Sequence, residues 1–317
     1  MKRTALLALL AAVLVFPAVF TLPFPRHVMI MIFLYGSLAV AWNILAGYCG
    51  QISLGHAVFF GIGAYTSTLL VARAGLTPWA GMAAGAALAV VFSQAVAFPV
   101  FRLRGHYFAI ATIAVGEIVQ TLVINWDWAG GARGVFVPIK RPDSLWNFQF
   151  HESKALYYYV ALGLLLLGLA VTRWLERSRH GYYFRAVRED QQAAASLGVN
   201  VAREKHRAIA VSAGLTALGG TFYAQYIFFI DPESVLSLSL SILICLVAVL
   251  GGVGTLWGPV VGAAVLVPLS EYTRVWLGGT GRALDVVIYG ALIMVIAVLQ
   301  PAGLVGLAAR LGRGRRG

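Results

Sequence analysis

Charge is what this chain has least of. Of its 317 residues 11% are charged and 60% are hydrophobic, whereas soluble globular domains are about 25% charged. That balance excludes a water-soluble domain and places the chain in a lipid bilayer. Cysteine is almost missing too: Cys49 and Cys245 are the only two, both stand among apolar residues, and neither belongs to a C-x-x-C pair. Neither a disulfide framework nor a thiolate metal cluster is expected. The four lysines are never followed by Ser or Thr, so the phosphate-cradling G-x-x-x-x-G-K-[ST] loop is absent. The chain does not hydrolyse ATP through that motif. Its histidines (27, 56, 106, 151, 180 and 206) contain no i, i+4 pair of the kind that ligates zinc or haem, so no metal or redox centre is expected. The net charge of +12 does not call for nucleic acid, because the basic residues sit at the ends of apolar runs, where membrane topology accounts for them.

Apolar runs are abundant. They cover 5–22, 27–46, 57–72, 78–101, 107–126, 155–174, 208–230 and 235–250, then a run reaching about 269, then 284–299. At roughly twenty residues per crossing, about ten helices account for 1–317 as one membrane domain. The expectation is an all-α integral membrane protein, a polytopic bundle with interrupted helices. The first run follows Lys2 and Arg3 and is succeeded by FTLPFPRH rather than a cleavage site, so it reads as a retained helix. An even number of spans puts both termini on one side, and those termini carry Lys2, Arg3, Arg310, Arg313, Arg315 and Arg316. By the positive-inside rule that side is the cytoplasm, together with Arg102, Arg104 and the loop 175–207. The segment 127–154 and the DPES turn at Asp231 then lie outside, and Arg133, Lys140, Arg141 and Lys154 run against the bias.

Glycine interrupts the runs twice. Gly47, Gly50, Ile52 and Gly55 find a loose echo in Gly251, Gly254, Leu256 and Gly258. Unwound backbone at membrane depth is tolerated only where it is buried in protein or lines a wet cavity, and transporters use such breaks. Close helix packing is the other use of intramembrane glycine. Around the first break, Asn43, Gln51, Ser53 and His56 offer donors and acceptors, either to a small polar solute or to backbone freed by the break. Glu117 stands mid-run with Gln120 one turn on. A charge at the bilayer centre costs about 3 kcal/mol on the insertion scale, so Glu117 should face a cavity, a partner or a neighbouring helix. Ser53 and His56 at i, i+3 lack the third residue and oxyanion site of a hydrolase.

One long segment cannot enter the bilayer. Residues 181–205, GYYFRAVREDQQAAASLGVNVAREK, hold Arg185, Arg188, Glu189, Asp190, Arg203, Glu204 and Lys205. From 186 to 197 nothing breaks a helix, and Ala193, Ala194 and Ala195 favour one. Gly198 then stops it. The result is a short, small-residue helix on an aqueous face, a surface that another protein can approach closely. A solvated loop between two spans is the plainer account.

Four stretches carry a family resemblance: NILAGYCGQISLGHAVFFGIGAYTSTLL, LRGHYFAIATIAVGEIVQTLV, WAGGARGVFVPI and GYYFRAVREDQQAAASLGVN. Together they resemble the LivM-type permease subunit of bacterial branched-chain amino acid ABC importers. The resemblance implies a multi-pass protein of the bacterial inner membrane. Such permeases carry E-A-A-x-x-x-G in a coupling helix that docks on an ATPase. Gln192, Ala193, Ala194 and Gly198 occupy those positions here, with Gln192 in place of the glutamate. The resemblance further implies two ATPase subunits that bind ATP and Mg, a second, LivH-like permease, and a periplasmic binding protein over 127–154. It implies no cofactor in this chain itself. Two other readings fit the residues: a secondary transporter protonated at Glu117, and a structural membrane subunit in which the breaks serve packing. Urea or short amides fit a permease of this kind as well as amino acids do.

Overall fold

A computed structural model of the chain describes residues 13–17, 19, 22–103, 105–139, 144–150, 154–276 and 303–306. Most of the expected first run, all of the tenth, and the terminal basic residues lie outside that set. The described part is helical almost throughout. Its helices are α1 (Pro23–Asn43), α2 (His56–Ala74), α3 (Pro78–Val100), α4 (His106–Ile124), α5 (Ala155–Arg177), α6 (Arg179–Glu189), α7 (Gln191–Ser196), α8 (Val201–Ile227), α9 (Pro232–Leu236), α10 (Leu238–Gly251) and α11 (Gly258–Trp276). Among the described residues six helices are long and apolar enough to cross a membrane: Pro23–Tyr48, α2, α3, α4, α5 and Pro232–Gly251. The runs expected at 208–230 and up to 269 fall in α8 and α11.

Local chemistry explains most boundaries. Thr77 caps α3 ahead of Pro78 at its first turn, a position where the missing proline N–H costs nothing. Asp231 and Ser234 form a reciprocal capping box on α9. At Ser237 the chain is extended, and this hydroxyl caps α10 at Leu240 N. The span 232–251 is therefore bent, a third interruption that no glycine announces. α8 starts at Val201, seven positions before its apolar run, because Asn200 Oδ1 accepts from Arg203 N at 3.0 Å and the buried Glu204 is neutralised by its neighbours. Glu204 takes Arg207 Nη1 at 2.6 Å and His180 Nδ1 at 3.1 Å.

α1 is the axis of the bundle, buried along most of its length. α5, α8, α10 and α11 pack on it, and Trp42, Tyr157, Tyr158, Phe148 and Phe222 fill the core between them. α3 lies outside α2 and α8. At one end of the bundle the two-residue strands β1 (Val135–Phe136) and β2 (Phe229–Ile230) pair antiparallel, Val135 with Ile230. That pairing ties 127–154 to the Asp231 turn. The opposite end carries α6 and α7.

Candidate functional site

The site is built where α1 stops being a regular helix. After Asn43 the chain makes a π turn, Ile44–Tyr48, whose wider winding frees backbone groups inside the protein. Asn43 braces the second break with both ends of its amide: Nδ2 donates to Thr255 O at 2.9 Å and Oδ1 accepts from Gly254 N at 2.8 Å. Gly47 permits that approach, since a Cβ there would stand 1.9 Å from Asn43 Oδ1 and 2.6 Å from Gly254 N. The two glycine-rich breaks, some two hundred residues apart in sequence, are thus in direct contact. Gly251 packs on Gly258 of α11, closing the second break on itself.

The aqueous helix reaches the same point. Arg188, on the last turn of α6, donates from Nη1 to Gly47 O at 2.8 Å, and a Cβ at Gly254 (φ +76°) would meet that nitrogen at 2.4 Å. Gly50 lies against the Arg188 backbone. One guanidinium therefore touches both breaks. Its pairing with Glu189, at 3.7 Å and exposed, adds little. Tyr48 donates to Glu176 Oε1 at 2.7 Å, which fastens the end of the π turn to α5.

The sequence predicts one helix over 186–197; the structure divides it. Asp190 is extended (φ −154°, ψ 116°) and its Oδ1 accepts from Gln192 N at 2.7 Å and Ala193 N at 3.0 Å. An N-cap needs a non-helical residue with an acceptor side chain, so the helix ends and restarts there. The hydrogen bonds from Ala193 and Gln192 hold the Asp190 carboxyl below the usual aspartate range. α7 stops as expected at Gly198 (φ +85°), where Gly198 N bonds Ala195 O and Val199 N bonds Ala194 O. This is the paired closure that favours glycine in the left-handed region. Ala194 faces inward, while Gln192, Ala193, Ala195, Ser196 and Leu197 face out. Lys205 Nζ holds Gln191 Oε1 at 2.9 Å, anchoring α7 on α8.

Residues 49–57 fold back into the bundle, and side chains from four helices receive them. Trp42 Nε1 donates to Ser53 O at 2.7 Å, and Leu54 N donates to Thr112 Oγ1 at 3.0 Å. Gly55 sits against Thr112 O. His56, fully buried, lies between Ser53 Oγ (3.1 Å from Nδ1) and Ser212 Oγ (2.8 Å from Nε2). Ser212 gives its proton to Ala41 O at 2.7 Å, so Nε2 must carry the imidazole proton and Nδ1 accept from Ser53. Ala57 N donates to Ser241 Oγ at 2.9 Å, and the buried Gln51 donates to Cys49 O at 3.3 Å. Asn43, Gln51, Ser53 and His56 thus bond within the protein in this conformation. Glu117 and Gln120 form no hydrogen bond with any of them; both lie on α4, Glu117 exposed and Gln120 half-exposed. Among the described residues no cluster of histidine, cysteine and carboxylates fit for a metal ion occurs.

A polytopic helical membrane protein, with two interrupted helices locked together and a charged two-part helix gripping the lock, belongs to the class of membrane transport subunits. The profile described as "Branched-chain amino acid transport system / permease component" matches residues 25–297, and the chain belongs to that family. It is 31% identical over 297 residues to the high-affinity branched-chain amino acid transport system permease protein LivM of Salmonella typhimurium, spanning 86% of this chain and 68% of that one. It is 26% identical to LivH of Escherichia coli K12, over 86% of this chain and 91% of the relative. The nucleoside ABC transporter permease protein NupC of Lactococcus lactis matches at 26% over 56% of this chain and 60% of its own. No solved structure matches significantly.

Proposed function

We propose that this chain is a membrane-spanning subunit of an ATP-driven importer of branched-chain amino acids, and that α7 is the surface on which an ATPase pushes. The observation that carries the reading is the Arg188 to Gly47 hydrogen bond, because it joins the α6–α7 arm to both helix breaks at once. Movement of α7 is then transmitted through Arg188 to α1 and to the α10–α11 break, the two places where the bundle is least regular. Alternating access follows if that lock opens in one state and closes in the other. Two ATPase subunits bind ATP and Mg, a second related permease completes the membrane part, and a binding protein delivers the solute over the 127–154 segment. The α6–α7 end lies in the cytoplasm and both termini lie on that side.

The test is reconstitution in proteoliposomes of this chain with its candidate second permease, ATPases and binding protein. ATP-dependent uptake of leucine, isoleucine and valine is expected, in excess of urea and of a nucleoside. Uptake by this chain alone, driven by an ion gradient, would sink the assignment; selective uptake of urea would retain the importer and change its substrate.

A further inference from the structure

Among the described residues α4 is the least enclosed of the apolar spanning helices, with only Phe108 and Thr112 buried. Its outward stripe, spaced three and four apart and so on one face, runs Tyr107, Ile110, Ala114, Glu117, Ile118, Thr121 and Leu122. The corresponding stripe of α3 is Ala83, Ala87, Leu88, Val91, Ala95 and Phe98, with no polar atom beyond the backbone. The second is a surface for lipid. The first is not, because it holds an ionisable group near the middle of the span, roughly 16 Å from the start of the helix and 11 Å from its end at 1.5 Å per residue, too deep for a glutamate side chain to reach either interface. Glu117 has no hydrogen-bond or ion-pair partner among the described residues. Carboxylates at such depth face a water-filled cavity or a polar partner rather than lipid, and no such partner stands beside Glu117 among the described residues.

We infer that the α4 face formed by Ala114, Glu117 and Thr121 borders the aqueous path of the solute, and that the Glu117 carboxylate receives the solute's cationic amino group as it passes. Charge complementarity selects this occupant: a zwitterion carries a compact ammonium that a carboxylate at membrane depth stabilises, whereas an uncharged amide does not. The small side chains one turn to either side, Ala114 and Thr121, leave the carboxylate accessible, and Gln120 stands half-exposed beside it. The inference rests on the importer reading for its solute, but the wet face of α4 can be established without it.

Two measurements separate the parts. In a Cys49→Ser, Cys245→Ser background of the assembled transporter in membranes, Glu117→Cys is expected to react with a membrane-impermeant maleimide and Val91→Cys is not. Equal protection of both places the α4 face in lipid or in a dry contact and overturns the inference. In the otherwise unaltered transporter, Glu117→Gln is expected to lower leucine uptake at least tenfold, and Glu117→Asp to restore most of it. Wild-type uptake by Glu117→Gln overturns the ammonium role even if the face is wet. If the wild-type assembly moves no amino acid with ATP, the importer reading fails, while the labelling still decides what α4 faces.

Discussion

At the scale of single residues, Asn43 has the clearest energetic consequence. Its amide is the partner of one backbone N–H and one backbone C=O of the opposite break, and it is buried. Leucine is close to asparagine in size but can satisfy neither, and a buried polar group left without a partner costs about 1–3 kcal/mol. Asn43→Leu is therefore expected to lower the thermal unfolding midpoint in detergent micelles, with Asn43→Gln intermediate; an unchanged midpoint would mean that the two backbone groups find other partners. Asn43, Gln51, Ser53 and His56 are visible in the sequence because polar side chains beside a glycine break stand out from apolar runs. The residues that receive this segment are not visible: Thr112 on Leu54 N, Ser212 on His56, Ser241 on Ala57 N, and Thr255, whose carbonyl Asn43 holds. A Ser or Thr within an apolar helix can satisfy itself on a preceding carbonyl, as Thr216 does on Ser212 O at 2.8 Å, so nothing in the sequence separates a brace from a filler.

At the scale of elements, the divided aqueous helix is where sequence and structure part. Residues 186–197 read as one helix because the alanines dominate the propensity sum; Asp190 followed by Gln-Gln-Ala was also a legible N-cap signal, since an Asp accepting two backbone N–H groups competes with helix continuation. The cap has a defined pH behaviour. A carboxyl held below its ordinary range contributes stability above the unfolded-state pKa and loses it as pH falls through the lower folded-state value. The cap is thus fully formed at neutral pH. Asp190→Ala is expected to reduce co-purification of the ATPase partners at pH 7 while Asp190→Asn, still an acceptor, retains most of it; in the wild type the loss should begin only below about pH 4, the ordinary aspartate range. Equal yields from both variants would show that α7 docks without its cap. The bend at Ser237 was not legible, because its cap lies within a continuous apolar stretch.

At the scale of the whole molecule, the bundle has two unlike ends. Trp146 and Leu197 are both well exposed, at 70% and 85%, one beside the strand pair and the other at the tip of α7. In intact spheroplasts an impermeant thiol reagent is expected to label Trp146→Cys and not Leu197→Cys, and in inverted vesicles the reverse; the opposite pattern would turn the protein over. The class of fold, the bundle and the interrupted helices were readable from hydropathy and glycine spacing, since the bilayer leaves a helix little alternative. The meeting of the two breaks was not, nor was the pairing of Val135 with Ile230, because contacts between segments so distant in sequence leave no periodic trace. One consequence follows from the single extended residue between α6 and α7. Arg188 precedes Asp190 by two positions, a tether of about 7 Å at full extension. With so little slack, if the tip docks on an ATPase as proposed, its displacement by more than a few ångströms must either drag the guanidinium off its carbonyl or pull the first glycine turn along with it, and a spacer inserted after Glu189 would let that motor idle.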